Sequence, residues 1–373
     1  MQVVGTEHEI PKAAGAKQTR AMVRTAVAGV GGYAGGELAR LLLAHPRLGS
    51  TRPLFLGRVA DEAAGGRVPL EQIQPQLALG AGDKLPEVRA FSWELVRDMG
   101  IEVVFLALPH ENSREWAPEW LEHGVRVIDL SGAWRLQEES NRKVYKLQDA
   151  DSAMAASLQA EAVYGCPELH RDEIASARLV ANPGCYATSI IMALAPLVRA
   201  GLVDLDHGIV CDAKSGVSGA GRKPSLTTSF CEVNGNFSAY SILDHRHVPE
   251  VLLTSGLEER EFSFTAQLLP LDRGILETIY FRSGRLKSAQ DLLAIYEKRY
   301  AGEPFIRLYD VAQVPDLRAV AHTNFCDIGV RFDAPTGRAV VVSAIDNLGK
   351  GAAGQAVQNM NLALGYPETE GLF

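Results

Sequence analysis

The sequence predicts an α/β protein in two parts, and three observations carry that reading. Up to about Ala200, short apolar runs alternate with helical patterns, as in a doubly wound parallel sheet. A glycine-rich turn separates the first apolar run from the first helical pattern. Beyond Ala200 the runs lengthen and alternate apolar with polar residues, which predicts an α+β domain on a mostly antiparallel sheet.

The elements follow in order. A strand is expected over Met22 to Ala28, then the turn from Gly29 to Gly36, then a helix with Leu38, Leu41 and Leu42 on one face. The run Val103–Leu108 ends in Pro109-His110, and Val125–Leu130 ends in Ser131-Gly132. Ligands of such sheets lie beyond the carboxyl ends of the strands, where His110, Ser131 and the turn Asn182-Pro183-Gly184-Cys185 fall. In the second half, strands are expected at Phe262–Thr265, Ile275–Phe281, Phe325–Phe332 and Ala339–Ile345. A closing helix, Ala352 to Leu364, carries Ala353, Ala356, Val357, Met360 and Leu364 on one stripe and is expected to pack back on the first domain.

Size and composition bound the function. At 373 residues the chain exceeds one ordinary domain. Hydrophobic residues make up 47% and charged residues 22%, as in a soluble globular protein. A net charge of −8 without a long basic run disfavours nucleic acid and anionic membrane as partners. No apolar run approaches the ~20 residues that span a bilayer. The cysteines, Cys166, Cys185, Cys211, Cys231 and Cys326, are scattered and odd in number and form no C-x-x-C pair. Neither a disulfide framework nor a metal site is expected, and a reducing cytoplasm is the simplest compartment. Residues 1–21 lack a signal core, contain Glu7 and Glu9, and read as a loosely ordered extension.

The glycine turn fits G-x-G-x-x-A through Gly29, Gly31 and Ala34, and G-x-x-G-x-x-G through Gly29, Gly32 and Gly35. Between a strand and a helix, either spacing lets the backbone approach a pyrophosphate and turns the helix N-terminus toward its charge. Arg58 lies ~30 residues on, with no well-placed acid after the second strand, and so favours a 2′-phosphate: NADP(H) rather than NAD.

The segment RLVANPGCYATS places Cys185 at the first turn of a helix that follows a strand. Free N–H groups there favour a thiolate, the form that acts as nucleophile. The alternative is a buried cysteine acting as a small hydrophobe. The loop Lys214-Ser215-Gly216-Val217-Ser218-Gly219-Ala220-Gly221-Arg222-Lys223 offers N–H groups, hydroxyls and a guanidinium to an anion, unless it is only a surface loop. His245-Arg246-His247 supplies two imidazoles around an arginine, suited to acid/base work and to phosphate, or else to a solvated surface. No third ligand at sensible spacing supports a metal there.

Taken together, these segments resemble the N-acetyl-γ-glutamyl-phosphate reductase family. The resemblance rests on VAGVGGYAGGEL, VVFLALPH, VIDLSGAWRL, ANPGCYATS, DAKSGVSGAGRKPS, HRHVPEV, LLPLDRGIL, TNFCDIGV and DNLGKGAAGQAVQNMNL. It implies a Rossmann NADP-binding domain (22–184 and 346–373), a catalytic and oligomerisation domain (185–345), and a homodimer or homotetramer. It also implies NADPH-dependent reduction of an acyl phosphate to an aldehyde through a cysteine thioester. Cys185 would be the nucleophile, His247 the acid/base and His245 its companion. Gly29, Gly31, Gly32, Tyr33, Ala34, Gly35, Arg58, Ser215, Gly216 and Asn347 would hold the dinucleotide. Asn182, Ser218, Arg222 and His110 would border the substrate and its phosphate. Two positions depart from the family pattern: Glu111 stands where glycine is common, and Gly57-Arg58 where a serine-arginine pair is frequent. A carrier-bound aminoadipyl phosphate is the rival substrate, although no basic docking cluster is evident. A non-catalytic NADP-binding regulator is the rival class, to be told apart by the reactivity of Cys185.

Overall fold

The computed structural model describes residues 23–48, 51–57, 66–78, 84–138 and 142–373. The N-terminal extension and Arg58 lie outside these residues.

The first sheet contains β1 (Thr25–Ala28), β2 (Leu54–Leu56), β3 (Arg67–Pro69), β4 (Glu87–Arg89), β5 (Val103–Leu106), β6 (Arg126–Asp129), β7 (Val163–Tyr164) and β8 (Leu179–Ala181). Their order is β3-β4-β2-β1-β5-β6-β8-β7, parallel throughout except where β3 meets β4. β1, β5 and β8 are buried along their whole length because helices cover both faces, which is why, Thr25 apart, they are apolar throughout. Val27, Phe105 and Ile128 are sealed under one face and Ala26, Val104 and Val127 under the other. Burying each large side chain contributes about 1.5–3 kcal/mol.

The second sheet contains β9 (Ile209–Ser215), β10 (Ser238–Tyr240), β11 (Phe262–Leu268), β12 (Ile275–Arg282), β13 (Ile306–Leu308), β14 (Cys326–Asp333) and β15 (Arg338–Ile345), in the order β10-β11-β9-β12-β15-β14-β13. It is a mixed sheet and, as expected, mostly antiparallel. β9 pairs with β11 and β13 with β14 in parallel, while the other pairs are antiparallel. Both parallel pairs are joined by long crossovers with a helix in each, Val248–Ser255 and Leu317–Val320. One face of this sheet packs under the helix Cys185–Arg199, whose residues 186–197 are all buried. On the other face Val210 and Tyr280 are exposed.

The chain returns to the first sheet through a π turn, Gly349–Ala353, and the helix Gly354–Leu364. The stripe Ala353, Ala356, Val357, Met360 and Leu364 joins the core around Val27 and Phe105. Three ion pairs fix this arrangement. Arg273 donates to Glu37 at 3.1 Å and to Asp346 at 3.0 Å. Lys350, fully buried, pairs with the fully buried Glu168 at 2.6 Å.

Candidate active site

Cys185 is the first residue of its helix, and Gly184 is the N-cap. A long-range carboxylate rather than a local side chain satisfies the cap: the Gly184 N–H donates to Glu250 Oε2 at 3.0 Å. Glu250 is itself held by the hydroxyls of Tyr145 (3.0 Å) and Tyr164 (2.8 Å) and by Arg135 Nη1 (3.1 Å). Arg135 also donates to the carbonyls of Asn182 (2.7 Å) and Leu130 (2.8 Å). One buried ion pair therefore ties the ends of two strands to the turn that presents the thiol. Removing one partner of such a pair leaves an unpaired buried charge.

Two further backbone approaches shape the thiol's surroundings. A side chain at Gly184 would put Cβ 2.6 Å from His247 Nε2, so the imidazole lies directly against the residue before Cys185. A side chain at Gly351, in the π turn, would put Cβ 2.8 Å from Cys185 Cβ. A π turn widens the helix and recurs at functional sites.

Two cavities meet here. One, about 520 Å³, is lined by Cys185, Tyr186, Ser215, Tyr240, His245, His247 and the Lys143–Lys146 turn. The other, about 260 Å³, runs from Cys185 to Gly32, Tyr33, Ala34 and Gly35 past His110, Ser218, Arg222 and Asn347. Cys185, Gly219, Arg246 and His247 face both.

The smaller cavity ends at a turn suited to the pyrophosphate of a dinucleotide. Gly29 has φ +94°, and a Cβ there would lie 2.3 Å from the Ala107 carbonyl oxygen; at Gly35 it would lie 2.3 Å from that of Gly29. The turn thus presents backbone at the N-terminus of the helix Tyr33–Ala44, as a pyrophosphate requires. Gly29 and Gly31 shape the turn from behind instead of lining the cavity, and the Gly31 carbonyl accepts from Arg222 Nη1 at 3.0 Å. Asn347 bridges the walls, donating to Ser218 Oγ at 2.9 Å and accepting from the Gly274 N–H at 2.7 Å.

The electrostatics differ from the expectation of a ready thiolate. Although Cys185 is only half-buried by area, enclosing protein atoms push its thiol up to about 11. The Arg246 charge, a hydrogen bond from the Tyr186 N–H and the Arg135 charge only partly oppose that burial. The histidines are kept neutral. Burial, and then the Arg246 charge, hold His245 down at about 4. Burial, then His245 and Arg246, hold His247 well below its usual value. His245 Nδ1 accepts from the His247 N–H at 3.1 Å, while His247 Nδ1 is buried without a hydrogen-bond partner among the described residues. Burial, then Arg135 and Arg246, lower His110 to about 4, and its Nδ1 accepts from the Gly132 N–H at 2.8 Å.

Four of the sequence-predicted site residues are placed by their packing as follows. Asn182 is fully buried, its side chain shared between the Ala352 carbonyl and Asn359, and it faces neither cavity. Ser218 lies on the dinucleotide side, where its hydroxyl donates to the Asp272 carbonyl. Ser215 faces the larger cavity, away from the glycine turn. Gly216 packs on the backbone of Asp272 and Arg273, where a Cβ would lie 2.7 Å from the Arg273 nitrogen. Sequence reasoning missed Arg135, Glu250, Tyr145 and Tyr164. Arg135 and Glu250 lie inside the segments VIDLSGAWRL and HRHVPEV, but no local pattern shows that they meet. Among the described residues no cluster of three metal-ligating side chains occurs.

Comparison with known proteins bears on the family and the fold. Residues 24–177 match the family described as semialdehyde dehydrogenase, NAD binding domain, and residues 185–347 that described as semialdehyde dehydrogenase, dimerisation domain. The chain is 44% identical over 357 residues to N-acetyl-gamma-glutamyl-phosphate reductase of Desulforapulum autotrophicum, covering 94% of this chain and 98% of the relative. It is 42% identical over 355 residues to the protein of the same name from Moorella thermoacetica, with the same coverage. In fold it is similar to aspartate semialdehyde dehydrogenase II of Vibrio cholerae, at TM-score 0.65 and 18% identity over 92% of this chain and 99% of that one.

Proposed function

The chain belongs to the N-acetyl-γ-glutamyl-phosphate reductase family, and on that premise we propose that it reduces N-acetyl-γ-glutamyl phosphate, reversibly, to N-acetyl-glutamate 5-semialdehyde and phosphate at Cys185. The observation that carries this assignment is the position of Cys185 at the junction of a cavity that reaches the glycine turn and a larger cavity lined by histidines and cations.

The Cys185 sulfur attacks the γ-carbonyl carbon; the C–S bond forms, the C–O bond to phosphate breaks, and a thioester remains. Because burial holds the thiol protonated, a base must take its proton as attack begins. Neutral His247, packed against Gly184, is positioned for that role, with His245 fixing its backbone. Arg246 faces both cavities and stabilises the charge on the leaving phosphate. The dinucleotide, when bound between Gly32–Gly35 and Asn347, supplies the hydride. His247 then returns its proton as the C–S bond of the thiohemiacetal breaks, releasing the aldehyde and the thiol.

NADP(H) is the proposed form, supported by Arg58 after the second strand. The proposed division is 22–184 with 346–373 for the dinucleotide and 185–345 for catalysis. Assembly as a homodimer or homotetramer is supported by the family of residues 185–347 and by the uncovered sheet face bearing Val210 and Tyr280. Among the described residues no helix is long and apolar enough to cross a membrane, in keeping with the proposed cytoplasmic location.

The test is NADP reduction with N-acetyl-glutamate 5-semialdehyde, with and without phosphate, using aspartate semialdehyde and NAD as controls. Activity is expected to require phosphate and to disappear in Cys185→Ser. Phosphate-independent turnover, or a fully active Cys185→Ser, would overturn the scheme.

A further inference from the structure

The chemistry above occupies one end of the substrate, and the larger cavity shows what receives the other. Cys185, Arg246 and His247 face both cavities, so the acyl phosphate belongs at their junction, with Arg246 as its cation. The wall that the smaller cavity does not share carries Lys143, Lys146, Tyr240 and Asp244. The rest of the substrate must extend toward that wall.

Both lysines come from one short turn. Lys143–Tyr145 forms a single 3-10 turn that Lys146 closes in the left-handed region, φ 53°. Tyr145, between them, is buried, and its hydroxyl donates to Glu250, the carboxylate that also caps Gly184. The turn is therefore fixed relative to Cys185, and the lysine heads remain exposed at the cavity mouth. Among the described residues neither lysine is held in an ion pair. Three cations, Lys143, Lys146 and Arg246, face one carboxylate, Asp244, so the cavity suits a ligand anionic at both ends.

We propose that Lys143 and Lys146 form a carboxylate-recognition site that holds the α-carboxylate of the substrate. The site rests on the functional reading above and extends it: these lysines decide that an N-acylated α-amino acid aldehyde is accepted in preference to one without the acid. An ammonium pair at the mouth of a partly enclosed site gives charge-assisted hydrogen bonds to the ground state and transition state alike. Its loss should therefore appear in KM and spare kcat.

The test sets two aldehydes against each other by kcat/KM: N-acetyl-glutamate 5-semialdehyde, and its decarboxylated analogue N-acetyl-aminobutanal, the same aldehyde without the acid. The comparison is made in the wild-type chain, in Lys143→Ala/Lys146→Ala and in Lys143→Arg/Lys146→Arg. The wild type should prefer the acid. The double alanine variant should lose about tenfold or more of that preference through a raised KM for the acid, with kcat and the KM for the decarboxylated analogue little changed. The arginine variant should retain the preference. Turnover of both aldehydes with an unchanged ratio in the alanine variant would overturn the lysine assignment alone. If the wild type turned over neither aldehyde, the functional reading would fall and the assignment with it.

Discussion

The two cavities that meet at Cys185 are built from different material. The smaller is walled at its far end by backbone: a turn in which side chains at Gly29 or Gly35 would strike carbonyl oxygens 2.3 Å away. The larger is walled by titratable side chains, with His245, His247, Lys143, Lys146 and Asp244 gathered from two distant segments. A backbone-built wall recognises a group shared by every turnover, the pyrophosphate, and tolerates almost no change. A side-chain wall sets protonation and selectivity, and its members are tunable one by one. The contrast teaches that the fold fixes dinucleotide binding, while the identity of the substrate lies in side chains carried on loops.

The contrast can be broken most severely on the side-chain wall. His247→Asn removes the proposed base but keeps a polar side chain of similar reach, and kcat should fall about 10²-fold or more while the dinucleotide KM stays unchanged. A negligible drop would move the role to His245, to be checked with His245→Asn. On the backbone wall the signature should invert. Gly35→Ala should raise the dinucleotide KM about tenfold or more, because Cβ would also lie 2.9 Å from Val30 Cα and the turn must open. Its kcat at saturating dinucleotide should change less than that of His247→Asn. An unaltered KM would mean that the turn yields more easily than its packing indicates.

How much was legible follows the same division. The glycine turn could be read because strand, turn and helix are contiguous and each glycine answers a local steric demand. Cys185 at a helix start was readable for the same reason. The parallel pairing of β9 with β11 and of β13 with β14 was not, because alternation within a strand says nothing about the direction of its neighbour. Nor was the Arg135–Glu250 pair, whose members lie 115 residues apart. The surroundings of Asn182 were not legible either, because a turn asparagine looks alike whether its amide faces a ligand or, as here, Ala352 and Asn359. The thiol's raised pKa was hidden too, since the helix N-terminus is visible in sequence and the enclosure that outweighs it is not.

The smallest expected effect concerns the whole molecule and still separates the two walls. Burial holds His45, His110, His245 and His247 below the ordinary histidine value, His110 and His245 down at about 4. In the unfolded chain these imidazoles titrate near 6.5. Between pH 6.5 and 4 the unfolded chain therefore binds protons that the folded chain refuses, and stability falls as the pH falls. Two buried carboxyls oppose this. Burial raises Asp129 and Glu277, so their contribution grows on acidification toward the unfolded carboxyl value. Four histidines against two carboxyls leave a net loss, and lowering the pH from 7 to 5 should reduce Tm by a few degrees, about 3 °C or more. His245→Asn removes one histidine of the larger cavity and should shrink that drop. A Tm flat across this range, or a drop that His245→Asn leaves intact, would show that the histidines of the side-chain wall are not held neutral by the fold.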